Sequence, residues 1–217
     1  MLVGAVGVGS ATADGSGSDR DTERGVVTAL VNHRPRNVIF FLGDGMGTQE
    51  ITAARYYQGV HNKLNVDRMP LTGFDTTWSV EPVAAPPYLP DYDPDSAATG
   101  SMWVTGAKTI DERISQGPSS AENVPGRNLQ TVLEKAQKRG MNVGDVSTAE
   151  LTDATPAVLA SHMSLRGCQG PANMAYCPTE TKAAGGLGSI AEQEVDHKVD
   201  VLARATSTSP TRPASAR

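Results

Sequence analysis

The sequence predicts an α/β fold with mostly parallel strands, and four stretches predict it. Asn37-Val38-Ile39-Phe40-Phe41-Leu42 is an apolar run of strand length that stops abruptly at Gly43-Asp44-Gly45-Met46-Gly47, the pattern of a strand buried on both faces and followed by a turn. Residues 128–140 read as an amphipathic helix, with Leu129, Val132, Leu133 and Ala136 on one face, Lys138 and Arg139 in the last turn, and Gly140 as the stop. Residues 141–147 follow it as the next strand, and Val199-Asp200-Val201-Leu202 begins a further core strand.

With 217 residues, 38% of them hydrophobic and 20% charged, the chain is long enough for one substantial domain with a real core. Its formal net charge of −5 argues against a general nucleic-acid binder, which carries a concentrated basic face. Residues 1–13 are small and apolar and end in Ala11-Thr12-Ala13, the form of a signal-peptidase site. They suggest an exported protein and a signal-peptide remnant, although no Lys or Arg precedes Arg20. This stretch is too short and glycine-rich to span a bilayer. Residues 14–34 read as a flexible linker.

In the folded part, residues 48–57 form a helix pattern with Thr48 as N-cap, Ile51 and Ala54 on one face and Gly59 as the stop. Strand, turn and helix together put Asp44 at a strand's carboxyl end, where ligands collect in open α/β sheets. The turn lacks dinucleotide glycine spacing, and its carboxylate would repel a pyrophosphate without a cation, so Asp44 points to metal. Taken alone, an acidic residue between glycines is more often a simple turn former. Residues 71–80, with Phe74, Thr76 and Trp78 alternating, read as a half-buried strand.

A proline-rich loop, 82–94, delivers Asp95 and Ser96 to a helix over 97–106. Either residue can serve as nothing more than the helix cap. A serine in a first helical turn also sits beside unpaired amides and the positive helix end, which favour an alkoxide and a bound phosphate alike. Residues 108–126 have the composition of a surface loop.

After the 141–147 strand comes the polar cluster Ser147, Thr148, Glu150, Asp153 and Thr155. Asp153 and Thr155, two apart, place both oxygens on one side of an extended segment, a spacing suited to a hard cation. The alternative is a turn into a helix. Residues 157–162 read as helical and lead to Arg166, whose planar fork matches a phosphate; an exposed loop arginine is the other reading. Cys168 and Cys177, close in sequence, fit either a local disulfide of an exported protein or two free thiols.

Taken together, Gly43-Asp44-Gly45-Met46-Gly47, Asp95-Ser96-Ala97-Ala98, the stretch from Thr148 to Pro156, and Arg166-Gly167-Cys168 resemble the alkaline phosphatases in order and spacing, over about residues 36–202. The resemblance implies a three-layer α/β sandwich with a central, mostly parallel sheet, incomplete at the carboxyl end, and hydrolysis of small phosphate monoesters through a phosphoserine. It implies two zinc ions and one magnesium ion per site, and a homodimer. Carried over by residue, Ser96 attacks phosphorus and binds one zinc, while Asp44 bridges that zinc and magnesium. Asp153 and Thr155 bind magnesium, Arg166 holds two phosphate oxygens, and Asp95 orients Arg166. The Cys168 and Cys177 pair resembles a disulfide of bacterial members.

Asp93 and Ser101 depart from the family pattern, which has a branched apolar residue and a threonine there. The larger departure is length, because the first zinc site and the histidine ligands of the second come from a carboxyl-terminal half that this chain lacks. The chain has four histidines, His33, His61, His162 and His197. Asp196-His197 is read as the solvated face of a helix over 189–197, and residues 203–217, built only of Ala, Arg, Ser, Thr and Pro, as a disordered or frame-shifted tail. Two other readings are a catalytically incomplete fragment with weak metal or phosphate binding, and a related sulfatase or phosphomutase. Asp153, Thr155 and Arg166 argue against the last.

Overall fold

The computed structural model describes residues 37–59, 61–69 and 71–205. The expected signal remnant, the linker and all but the first residues of the tail lie outside that range. The chain divides into two compact units, Met1–Thr76 and Thr77–Arg217.

In the first unit, helix α1 (Thr48–Gln58) forms as expected and stops at Gly59, whose φ of 104° is a conformation that suits glycine. Its N-cap is Gly47, not Thr48, and the Glu50 carboxylate accepts the Gly47 N–H at 3.1 Å. Ile51 is buried while Ala54 is exposed, so the helix buries a narrower face than its sequence predicts. The run from Asn37 to Leu42 is not the buried strand its composition predicts. Val38, Ile39 and Phe41 are 56%, 63% and 70% exposed, and only Leu42 takes part in a single bridge. A strand buried on both faces needs a partner on each edge and a layer over each face, and apart from the bridge at Leu42 no described residue of this run is in a strand.

In the second unit, β1 (Ser79–Val80) pairs antiparallel with β2 (Pro90–Asp91). The expected 71–80 strand shrinks to its last two residues, because pairing begins only at Ser79, and Phe74 is exposed. Helix α2 (Ser96–Thr105) starts from Asp95 and ends on Gly106 at φ 80°. Helix α3 (Val132–Gln137) starts later than its apolar pattern suggests because Thr131 and Glu134 cap it reciprocally: the Thr131 hydroxyl accepts the Glu134 N–H at 3.1 Å, and Glu134 accepts the Thr131 N–H at 2.9 Å. Strand β3 (Gly144–Ser147), helix α4 (Ala154–Ala160), helix α5 (Ile190–Asp196) and strand β4 (Val201–Arg204) follow. β3 and β4 pair in parallel, Gly144 opposite Val201 and Ser147 opposite Arg204, so the strand runs on through Ala203 and Arg204, which the sequence assigns to the tail, because β3 offers them a pairing edge.

The core joins α2, α4 and the start of α5 through Ala97, Val104, Val158, Met163 and Ile190, with Cys168 and Cys177 bonded to each other inside it. The segment predicted as a surface loop runs through this interior: Ile110, Arg113, Ile114 and Ser115 are fully buried. Its irregular backbone is satisfied partly by its own polar side chains and partly by Ser101 of α2. Ser101 donates its hydroxyl to Arg113 O at 2.8 Å and accepts the Ser115 N–H at 2.6 Å, while Arg113 reaches Gln116, Ser119 and the carbonyls of Ala121 and Glu122. Burial pushes the Arg113 guanidinium down to about 10. Among the described residues, no helix is long and apolar enough to cross a membrane.

Candidate active site at the start of α2

Asp95 caps α2 by accepting the Ala98 N–H at 2.8 Å, which leaves Ser96 as the first helical residue. The capping and functional readings are therefore compatible, since the cap places the serine at the helix mouth. The second oxygen of Asp95 accepts from Arg166 Nη1 at 3.1 Å and from the Glu112 N–H at 3.2 Å. The same Nη1 donates to Ser96 Oγ at 2.8 Å, and Nη2 donates to Asp153 Oδ1 at 2.7 Å. One guanidinium thus gathers Asp95, Ser96 and Asp153 from α2 and from the start of α4.

The backbone holds Arg166 as well, its N–H donating to Glu112 O at 2.8 Å. Glu112 sits at φ 64°, unusual for a residue with a side chain, and this turn presents both its N–H to Asp95 and its carbonyl to Arg166. No sequence signal marks Glu112, because its role lies in its backbone. Burial, and then the charge of Asp95, pushes the Glu112 carboxyl up. Partial burial would lower the Arg166 pKa, yet Asp153 and Asp95 together raise it. Burial would raise the Asp153 carboxyl, yet the Ala154 N–H and Arg166 together hold it low.

Asp153 and Thr155 are not in an extended segment: Asp153 is the N-cap of α4 and Thr155 lies in its first turn. The helical alternative is the one that forms. Asp44 lies in the first unit, in the turn before α1. Asp93 is exposed and its N–H turns back onto Asp91 at 3.0 Å, away from Ser96 Oγ, which Arg166 holds.

In the second unit Ser96, Asp153 and Thr155 all offer oxygen, the donor chemistry that magnesium takes. Zinc at Ser96 would draw on nitrogen donors, and among the described residues no histidine hydrogen-bonds to Ser96, Asp95, Asp153 or Arg166. His162 and His197 instead both meet Glu134 Oε1 at 3.0 Å. His197 is therefore not on a solvated face: its side chain is 24% exposed, held at the end of α5, where Gln137 of α3 donates to its carbonyl at 2.9 Å. Glu194, on the same helix, is only 5% exposed. Asp196 does face solvent, paired with Lys182 at 2.8 Å.

The Ser96 region thus presents a helix-mouth serine held by an arginine that also pairs with two carboxylates, set in a fold of mixed helices and strands. Residues 35–204 match the sequence model of the alkaline phosphatases, and the chain belongs to that family. It is 45% identical over 168 residues to a streptomycin-6-phosphate phosphatase of Streptomyces griseus, covering 77% of this chain and 35% of that protein. It is 39% identical over 176 residues to an alkaline phosphatase of Escherichia coli strain K12, covering 80% of this chain and 36% of that one. A solved alkaline phosphatase from the psychrophile Shewanella sp. aligns at 27% identity with a TM-score of 0.44, over 63% of this chain and 32% of its own. The chain spans about a third of the length of the curated relatives it matches.

Proposed function

We propose that the Ser96 cluster is the phosphoryl-accepting part of a phosphomonoesterase site. The observation that carries this is Arg166 Nη1 donating at once to Ser96 Oγ and to Asp95. In the proposed reaction, Ser96 Oγ bonds to phosphorus as the bond from phosphorus to the alcohol oxygen breaks. Water then splits the phosphoserine, releasing inorganic phosphate and restoring the serine. Arg166 takes two phosphate oxygens on its fork, and the amides at the start of α2 add to the positive potential there. Asp95 keeps Arg166 in place through that exchange. An entering phosphate displaces Asp153 from Nη2, the donor that reaches no other acceptor in the cluster.

Asp153 and Thr155 are the residues of the second unit proposed to hold magnesium, which would supply positive charge beside the transferring group, and Asp44 of the first unit is proposed as a magnesium ligand from its motif alone. The donor set at Ser96 does not fit zinc within the described residues, so zinc has no step here. This favours a second reading, in which these 217 residues alone bind phosphate but turn over slowly. The three-layer sandwich, the homodimer and export, supported by the Cys168 to Cys177 disulfide, belong to the same proposal.

The test is turnover of an aryl phosphate with added magnesium and zinc, together with mass analysis of the Ser96 peptide after an acid quench. Phosphate on Ser96, absent in Ser96→Ala, is the expected result. Undiminished turnover in Ser96→Ala sinks the nucleophile assignment.

A further inference from the structure

Away from the Ser96 cluster, one group of side chains has an arrangement that neutral hydrogen bonding does not account for. Glu134 stands on α3, His162 just after α4 and His197 at the end of α5. Glu134 Oε1 is 3.0 Å from Nε2 of both rings. The other nitrogen of each ring meets a backbone carbonyl, His162 Nδ1 at 2.9 Å from Ser115 O and His197 Nδ1 at 3.1 Å from Gln193 O. Carbonyls only accept, so both Nδ1 atoms carry protons.

A neutral imidazole has no second proton. Two neutral rings would therefore point two nitrogen lone pairs at one carboxylate oxygen. Either both rings are imidazolium, placing two cations on one carboxylate, or a divalent cation takes all three lone pairs. The surroundings suit the cation. An Nδ1–H donated to a backbone carbonyl is the support that orients metal-bound histidine. The remaining carboxylate oxygen, Glu134 Oε2, is fixed by the Thr131 N–H at 2.9 Å, leaving Oε1 for a ligand bond.

The ligand atoms all lie within 4.8 Å of one another. Tetrahedral ligands at zinc's usual bond lengths sit about 3.3 Å apart, close to the 3.0 Å from Glu134 Oε1 to each ring nitrogen, and the two rings need only small shifts to bring their own nitrogens to that spacing. Two histidines and one carboxylate with an open position are a familiar zinc set. The open position is reachable by water, since the side chains of Glu134 and His197 are 19% and 24% exposed while that of His162 is 6% exposed and forms the buried anchor.

We propose that Glu134, His162 and His197 form a zinc site distinct from the Ser96 cluster, one that ties α3 and the end of α5 to the segment after α4. The site makes α5 and the β4 strand that follows it dependent on metal as well as on packing.

The full chain, stripped with a chelator and exchanged into chelator-free buffer, is titrated with zinc alone by calorimetry and with cobalt(II) alone by visible absorption. His197→Gln and Asp153→Asn are titrated alongside. The expected result is that Asp153→Asn retains this binding event and His197→Gln weakens it at least about tenfold, a loss that even an outer-shell change can cause. Histidine side-chain 15N spectra of the wild type should show Nε2 of both His162 and His197 shifting on zinc addition. The proposal is overturned if His197→Gln takes up zinc as the wild type does, if neither metal binds, or if saturating zinc leaves both imidazoles unmoved. Should His197→Gln lose its near-UV circular dichroism, the wild-type histidine spectra decide alone.

Discussion

Asp95 has two jobs, capping α2 with one oxygen and holding Arg166 and the Glu112 N–H with the other. The two are separable by substitution. Asp95→Asn keeps the capping oxygen but turns an NH2 toward Arg166 and the Glu112 N–H, so its urea midpoint should fall through that end alone, whereas Asp95→Ala loses both that contact and the cap, itself about 1 kcal/mol. Phosphate affinity, read by calorimetry, should fall in both, because both remove the charge that orients Arg166. Equal phosphate binding in Asp95→Asn and wild type would count against the orienting role. Glu194 and Asp145 make a second residue-scale case. Burial, with the charge of Asp145 adding, pushes Glu194 up to about 7, and burial pushes Asp145 up to about 6. Folded values above the unfolded ones mean that folding takes up protons, so stability falls as pH rises from the ordinary carboxylate range through about 6 to 7. Glu194→Gln should flatten that slope and be the more stable protein near pH 8, by on the order of 2–3 kcal/mol. Urea midpoints at about pH 5 and about pH 8 check this; a variant with the wild-type slope contradicts it.

Between elements, the contact of α2 with α4 positions the site. A Cβ on Gly100 would lie 3.1 Å from Val158 Cγ1 and 3.2 Å from Cγ2. Alanine gains about 1 kcal/mol of helix propensity there, while overpacking a close contact costs about 1–3 kcal/mol. Gly100→Ala should thus be mildly destabilising, and Val158→Ala should relieve the clash. A double-mutant cycle showing no coupling between the two positions would place the limit elsewhere. The disulfide is the other inter-element tie, with nine residues of separation between Cys168 and Cys177. Replacing both with serine should cost about 2–3 kcal/mol by loop-closure entropy, measured as the drop in urea-unfolding free energy under non-reducing conditions.

For the molecule as a whole, the contrast lies between a second unit with its own core and a first unit that leaves Val38, Ile39 and Phe41 in solvent. Contiguous exposed apolar residues promote association. Ile39→Lys with Phe41→Lys should lower concentration-dependent light scattering and dye binding to apolar surface, without changing the unfolding of the second unit. Residues 77–217 expressed alone should keep the disulfide and a cooperative thermal transition, since the core residues from Val80 to Ile190 lie within them. A non-cooperative melt would show that the second unit depends on the first.

Features with local causes could be read from the amino-acid order alone. Helix stops at Gly59, Gly106 and Gly140, the cap at Asp95, and the strand pattern near Val201 depend on neighbours a few residues away. The order of motifs also carried the family, because a serine, its flanking aspartate and a distant arginine in register form a rare combination. What only folding decided involves long-range partners. The Asn37 to Leu42 run is largely exposed despite its apolar composition, and the polar 108–126 stretch is buried because Arg113 and Gln116 satisfy its own backbone while Ser101 of α2 meets it from outside. His197 has the neighbours of a solvated helix end in sequence. It is drawn inward because Glu134, 63 positions away, offers a carboxylate that His162 also shares, and no local pattern records that meeting.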